Sequence, residues 1–583
     1  MVQISLQWVK FFVASSAIAV LLISSELRAI AQSVPSDLPL DLAPELPDRI
    51  DDQTIPERPS DLPAPEQNEV PDEPAPSLNI PELDNRLQEP SVSNVSFLVD
   101  QIDVVGNTVL HDEIDGLISE YNNRQVTFDE LLILRSQITQ LYVDAGYVTS
   151  GAFLPSNQVL NDGTVTIQIV EGSVEEIQVG GTRYLQRSYV RDRLALATET
   201  PLDQDDLLEA LQLLQLDPFI SQVNAELTAG TTPGQNVLLV EVDEPSPFTA
   251  NIGSDNYRPP SIGSAQVSVG AGYSNLIGVG DRISGSYGRT DGLDIFNAGL
   301  SVPLNAREGT LSFQFNSSQS QIIDAVFEDL EIESETRSYS LDFRQPIVRS
   351  PQTEVALGVG FDLRRRQTFI LDDIPFSFSE GPEDGQSNAT VIRFFQDWVN
   401  RGSRRVFAAR SQFSVGIDAF NATVNDSGTD ARFFTWVGQF QWVQQLSSRH
   451  LVVTRINTQL TPDSLLSLEQ FSIGGVDTVR GYAQNERVAD NGVLGSVEFR
   501  LPLTRNPQRL QLTPFIEAGK VWNNRTVDPD PSTIAGLGLG LRLLIGSNLV
   551  ARLDYGIPLI DVESDSDSLQ EDGLYFSLRF QPF

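Results

Sequence analysis

The stretch Gly536-Leu537-Gly538-Leu539-Gly540-Leu541-Arg542-Leu543-Leu544-Ile545 decides the fold class. Successive side chains of an extended chain point to opposite faces. Leu537, Leu539, Leu541, Leu543 and Ile545 therefore share one face, and Gly536, Gly538, Gly540 and Arg542 the other. The glycines belong to this alternation and not to a dinucleotide loop, because no helix follows them. The same grain runs through Val355, Leu357, Val359, Phe361 and Leu363 against Ala356, Gly358, Gly360 and Asp362. It recurs in Leu549, Ala551, Leu553, Tyr555 and Ile557, and in Val493, Gly495, Val497, Phe499 and Leu501 against Ser496, Glu498 and Arg500. A soluble sandwich or propeller would bury the second phase in a dry core, where Arg and Glu are costly. A lipid-facing apolar phase alternating with a lumen-facing polar one, repeated over 246–583, is the pattern of a transmembrane β-barrel. A last strand carrying Leu574, Phe576, Leu578 and Phe580 precedes Phe583, the kind of aromatic terminal strand that barrel-assembly machinery recognises.

Working outward, Pro245-Ser246-Pro247 marks a change of grain, and two small α+β modules lie ahead of it. The first, 95–171, opens with a strand over 97–105, turns at Gly106-Asn107 and offers a short helix over 113–120. A second helix starts at a capping box made by Thr127 and Glu130. It places Phe128, Leu131, Leu132, Arg135, Ile138, Leu141 and Ala145 on one face and stops at Gly146. Strands over 148–154 and 164–170 follow. The second module, 172–245, repeats this order with a strand over 174–179, helices over 187–196 and 207–216, the latter capped by Asp203, and strands over 223–228 and 237–242. Repeated small units of this kind form arrays.

At the N-terminus, Lys10, the apolar run 11–23 and Ala29-Ile30-Ala31 follow the order of a secretory signal peptide, with cleavage expected after Ala31. The run is shorter than the roughly 20 residues a spanning helix needs. Residues 32–94 are acidic and rich in proline, which suits an extended spacer without a core of its own. A short docking helix over 78–87 is the other reading, and Pro81 speaks against it.

Composition narrows the function. The 583 residues carry 79 acidic and 39 basic side chains, a net charge of -40, which argues against nucleic acid as a partner. Cysteine is absent, and His111 and His450 are the only histidines. Neither sits in a context that suggests a catalytic triad or a metal site, so no enzyme, metal or cofactor is expected. No Gly-x-x-x-x-Gly-Lys-[Ser/Thr] motif occurs, and the lysines are Lys10 and Lys520.

Three stretches carry a family resemblance. Gly146-Tyr147-Val148-Thr149-Ser150, with Leu154-Pro155, Gln158, Asp162-Gly163 and Val170-Glu171-Gly172, resembles the first POTRA domain of two-partner secretion translocators of the haemolysin secretion/activation type. Gly230-Thr231-Thr232-Pro233-Gly234 leading into Leu238-Leu239-Val240-Glu241-Val242 resembles their second POTRA domain. Ile473-Gly474-Gly475-Val476-Asp477-Thr478-Val479-Arg480-Gly481-Tyr482 resembles the [VL]RG[YF] motif of the wider Omp85 superfamily.

The resemblance implies a β-class fold: a 16-stranded transmembrane barrel preceded by two periplasmic POTRA domains, in the outer membrane of a Gram-negative-type bacterium. It implies a transporter that captures an unfolded partner exoprotein of the filamentous haemagglutinin or haemolysin type and exports it; with no P-loop, that transport is expected to need no nucleotide on this chain. The motif would lie on a long external loop folded into the lumen, at Val479, Arg480, Gly481 and Tyr482. Its arginine would pair with a lumen-facing acid, here Glu517, where the family usually has Asp. Physical chemistry favours that pairing, since a guanidinium inside a barrel regains lost hydration from a bidentate carboxylate; the other reading is a surface-loop arginine in water. Gly481 would permit a tight turn, and Tyr482 would pack its ring with its hydroxyl wet. Val165, Ile167, Ile169, Val237 and Leu239 are candidate client contacts on POTRA sheet edges, or else serve internal sheet pairing. The rival functions are an insertase for other outer-membrane proteins, which usually has more POTRA repeats, and a passive solute porin, which would need neither the modules nor the motif.

Overall fold

The computed structural model describes residues 78–79 and 96–582, apart from 157, 159–162, 325–326, 372 and 563–567. The expected signal peptide, nearly all of the acidic linker and Phe583 lie outside the described residues. In the first module a bend at Asp100 divides the expected opening strand into Ser96–Val99 and Gln101–Val105, which join different sheets. Ser96–Val99 pairs antiparallel with Arg124–Thr127, a strand the sequence pattern did not disclose. Gln101–Val105 runs parallel to Thr164–Val170, whose other edge pairs with Gly151–Phe153. The last of these is shorter than the expected 148–154, because residues 147–150 are used in a turn closed by the Ser150 N–H on the Tyr147 carbonyl.

Helices His111–Ser119 and Phe128–Asp144 complete the module. Both halves of the capping box are present: the Thr127 hydroxyl accepts from the Glu130 N–H at 3.2 Å, and the Glu130 carboxylate accepts from the Thr127 N–H at 2.6 Å. The buried stripe of the second helix is Leu131, Leu134, Ile138 and Tyr142. The sequence-based face was therefore rotated, since Phe128 is exposed and Leu132, Arg135 and Leu141 are only half-buried.

The second module repeats the plan with Ser173–Gly180, Arg187–Leu194, Gln204–Gln215, Gln222–Ala229 and Gln235–Asp243. Asp203 caps its helix as expected, accepting from the Asp205 N–H at 2.8 Å. Its sheet runs Leu78–Asn79, Gln222–Ala229, Gln235–Asp243, Ser173–Gly180. Leu78–Asn79 is a strand lying parallel on that outer edge, against Ala225 and Glu226, and is not the start of a helix.

These sheet orders correct the client-contact assignment. Thr164–Val170 is the middle strand of three and Gln235–Asp243 has a strand on each side. Val165, Ile167, Ile169, Val237 and Leu239 thus sit on interior strands, with Val165, Ile167 and Ile169 buried in the module core. Their alternation reflected a covered sheet face, and internal pairing is their role.

Sixteen antiparallel strands, from Phe248–Asp255 to Leu574–Phe580, close into a barrel, joined at one point by the two-residue strand Ile374–Pro375. Closure occurs where Ile252–Asp255 meets Ser577–Phe580, so the barrel ladder has no free edge to leave backbone groups unpaired in lipid. The phases fall as expected: Val359, Ile516, Leu539 and Leu578 point outward and exposed, while Ala356, Asp362, Glu517 and Asp554 are buried inside. The short turns 275–281, 304–309 and 350–352 lie at one end. The second module sits at that end, with the Gln186 N–H donating to the Gly278 carbonyl at 2.8 Å. Connection 461–490 leaves the opposite end and turns back into the lumen.

Candidate lumen-loop site

Connection 461–490 buries its apolar side chains inside the barrel. Leu465, Leu466, Leu468, Phe471, Ile473, Val479 and Tyr482 are all buried, which water would not favour in an external loop. Phe471–Ile473 pairs with Arg487–Ala489 to make a narrow stem. Phe471, Ile473, Val479, Tyr482 and Ala489 of the loop pack on Leu494, Val521 and Ile534 of the wall. At the tip the Gly475 N–H donates to the Val479 carbonyl at 3.2 Å, and the Thr478 hydroxyl donates to Gly474 at 2.9 Å. Gly481 has φ +107°, outside the range comfortable for other residues. The wall is thinned to receive this backbone: a Cβ at Gly536 would collide with the Arg480 carbonyl oxygen, and one at Gly556 with the Gly481 nitrogen.

This turn drives Arg480 into the wall. Its Nε lies 3.1 Å from both oxygens of Glu517, its Nη2 is 2.5 Å from Glu517 Oε1, and its backbone N–H donates to Glu517 Oε2 at 2.8 Å. Nη1 reaches Glu498 Oε2 at 3.2 Å and Asp554 Oδ1 at 3.0 Å. The guanidinium carbon lies 3.3 Å from the centroid of the Phe515 ring, a cation–π contact. Arg552 pairs with Asp554 at 2.6 Å and with Glu498 at 3.3 Å, and Arg500 with Glu498 at 3.4 Å. Arg480, Arg500 and Arg552 thus share Glu498, Glu517 and Asp554, with Arg455 also near Glu498. A network of this kind fixes position, and removing one member leaves a buried charge uncompensated.

The expected pairing of Arg480 with Glu517 is present, and the longer side chain of glutamate still meets the guanidinium through both oxygens. The Tyr482 hydroxyl departs from expectation. It is enclosed by backbone, 2.8 Å from the Ala535 carbonyl and 2.9 Å from that of Ile560, and it accepts from the Ile560 N–H at 3.2 Å. Tyr575 was missed by the sequence reading: its hydroxyl accepts from the Gly481 N–H at 2.8 Å and donates to the Tyr482 carbonyl at 2.6 Å. Asp554 was missed as well, although an acid on the inward phase between Leu553 and Tyr555 was the available signal. Among the described residues no His, Cys, Asp or Glu group is placed to hold a metal ion.

Comparison with known proteins agrees with this geometry. Residues 234–543, more than half of the chain, match the haemolysin secretion/activation protein family ShlB/FhaC/HecB, and residues 97–172 match the ShlB-type POTRA domain. The outer membrane transporter CdiB of Escherichia coli is 24% identical over 483 residues, covering 80% of this chain and 79% of the relative. The heme/hemopexin transporter protein HuxB of Haemophilus influenzae is 22% identical over 419 residues, covering 67% of this chain and 69% of that one. The fold is shared with the solved structure of CdiB from Escherichia coli, at a TM-score of 0.64, 21% identity and coverage of 85% and 92% of the two chains. It is shared more loosely with BamA from Haemophilus ducreyi lacking POTRA domains 1–3, at 0.51, 15% identity and coverage of 83% and 100%. A closed barrel with a motif-bearing loop in its lumen and a POTRA domain ahead of it is the architecture of an outer-membrane protein, and this chain belongs to the haemolysin secretion/activation family ShlB/FhaC/HecB.

Proposed function

We propose that the chain exports a secreted exoprotein across the outer membrane, with connection 461–490 as the obstruction that must move. One observation carries this reading: the lumen is crossed by a loop held through a buried ion network, which suits a regulated passage for a chain and not a standing pore for solutes. The relatives named as transporters support it. Residues 95–171 and 172–245 serve as two periplasmic POTRA domains and 246–583 as the barrel, delivered by a signal peptide at 1–31 and seated by barrel-assembly machinery among outer-membrane lipids. An extended client segment adds to sheet ends such as Gly151–Phe153 or Ser173–Gly180 by β-augmentation. The chain carries no phosphate-binding loop, so passage draws on client folding outside and not on nucleotide hydrolysis or any catalytic step of its own.

The test is secretion of a long β-helical exoprotein in cells making wild type or Arg480→Ala at equal outer-membrane levels. Exoprotein should appear outside with wild type and fall about tenfold with Arg480→Ala, because a loop no longer seated at one place on the wall gates the lumen out of step with the client; the size is that of one lost charged interaction. Exoprotein retained in both strains, with other barrels failing to assemble when the chain is depleted, would replace export by insertase activity.

A further inference from the structure

The Arg480 cluster holds only the second half of connection 461–490. The first half is held elsewhere. Leu465 and Leu466 pack with Ala389, Val391, Ala431 and Phe433, and the short helix Ser467–Glu469 brings Glu469 against strands Thr353–Ile370 and Gln386–Gly402. There the Glu469 carboxylate meets Arg393 Nη2 at 3.2 Å and Arg364 Nη1 at 3.4 Å. Arg393 also binds Asp362 through Nε and donates to the Ser414 hydroxyl at 2.8 Å. Arg364 donates to the Leu468 carbonyl at 2.9 Å, and Gln459 donates to the Glu469 carbonyl at 2.8 Å. Asp362, Arg364, Arg393 and Glu469 are all under 10% exposed.

These strands are the seventh and eighth of the barrel, whereas Arg480 binds the twelfth, thirteenth and fifteenth. The connection is therefore tied to two separated sectors of the wall. Breaking one tie leaves the other limb in the lumen, so either tie alone is an incomplete lock.

We propose that Glu469 is a second latch of the connection: a positioning residue whose ion pairs with Arg393 and Arg364 hold the first limb inside, so that full opening requires release at both sectors. The proposal rests on the reading of 461–490 as a movable obstruction, but its test does not depend on export. Purified full-length protein is inserted into planar lipid bilayers and its open fraction recorded for wild type, Glu469→Gln, Arg480→Ala and the double variant. Glu469→Gln keeps the shape and removes the charge, and should raise the open fraction about tenfold in the Arg480→Ala background, the change expected when a charge-assisted hydrogen bond is lost from one state of a two-state element. An open fraction unchanged by Glu469→Gln in both backgrounds overturns the latch.

A second measurement covers the case in which Glu469→Gln fails to assemble. Asp430 and Leu465 are paired in register, and the chain has no cysteine, so Asp430→Cys with Leu465→Cys places a single disulfide across the first limb. Oxidation should silence the openings of Arg480→Ala and reduction restore them. Openings that persist in the oxidised protein would show that the first limb need not move, and would also overturn the latch. Absence of exoprotein secretion by the wild-type protein, with the expected bilayer behaviour, would count against the export reading and leave the latch standing.

Discussion

At the scale of the residue, the central pair is Arg480 with Glu517. Both oxygens of the carboxylate are engaged, one of them also by the Arg480 backbone N–H. Glu517→Gln leaves the shape and deletes the charge, so the buried guanidinium loses one of its three acidic partners. The expected cost is about 3 kcal/mol in the stability of the folded barrel, in the range for breaking a buried pair. Urea unfolding in detergent, followed by tryptophan fluorescence, measures it. Adding Arg480→Ala should cost less than the sum of the two single changes, because each removes the same interaction; strict additivity would mean the pair is not coupled. This pair was legible because the family resemblance pointed to both the arginine and the strand segment 515–519 that carries its acid, and alternation put Glu517 on the inward phase of that segment. Asp554, Tyr575 and Glu469 were not. Which inward residues meet across a lumen depends on closure of the ring and on the path of the loop, and neither leaves a local mark in the sequence.

At the scale of the element, helix Phe128–Asp144 shows what local chemistry can and cannot specify. Its start was readable because a capping box is satisfied within four residues. Thr127→Ala should weaken the first turn by about 1 kcal/mol, seen in the intact protein as amide exchange at 128–131 faster by about fivefold. The Glu130 carboxyl is held below its ordinary value of 4.5 by the Thr127 N–H first, then by the Thr127 hydroxyl. A lowered folded-state value means that the stabilisation is present above pH 4.5 and is lost as the pH falls through the folded-state value. Exchange at this turn should therefore quicken below pH 4.5 beyond its intrinsic pH dependence, and Glu130→Gln should abolish that extra step. The buried face of the same helix was read one step out of phase, because the choice of Leu134 and Tyr142 over Leu132 and Leu141 is made by the sheet the helix covers. The interior position of Thr164–Val170 was hidden for the same reason: its parallel neighbour Gln101–Val105 lies some 60 residues earlier, and alternation cannot distinguish a middle strand from an edge.

At the scale of the whole molecule, the second module does not hang freely from the barrel. It rests on a turn held by its own contacts, since the Asp281 carboxylate accepts from the N–H groups of Leu276, Ile277 and Gly278 at 2.9 to 3.1 Å. Gln186 binds that turn through its N–H to Gly278 and its side chain to Ile277. Beside it, Arg193 stacks 3.4 Å from the Tyr189 ring centroid and donates to Glu308 Oε1 at 3.4 Å, an oxygen that Arg349 also reaches at 2.8 Å. Tyr189 in turn donates to Asp217 at 2.6 Å, and burial, followed by the nearby Asp217, pushes its hydroxyl far above the ordinary phenol range. It therefore stays a neutral donor at any pH the periplasm reaches. Arg193 is then the ion-pair link from module to barrel among these residues, and Arg193→Gln removes it while leaving Glu308 with Arg349. Nitroxides on Asn224→Cys in the module and Leu503→Cys on a barrel turn should give one narrow distance distribution in the parent and a broad one after Arg193→Gln. Helix content and barrel assembly should be unchanged. A distribution that stays narrow would assign the seating to the Gln186 contacts and the shape of the turn instead. Broadening would mean that a single guanidinium sets the angle at which the POTRA region meets the barrel, and hence where a captured chain is delivered.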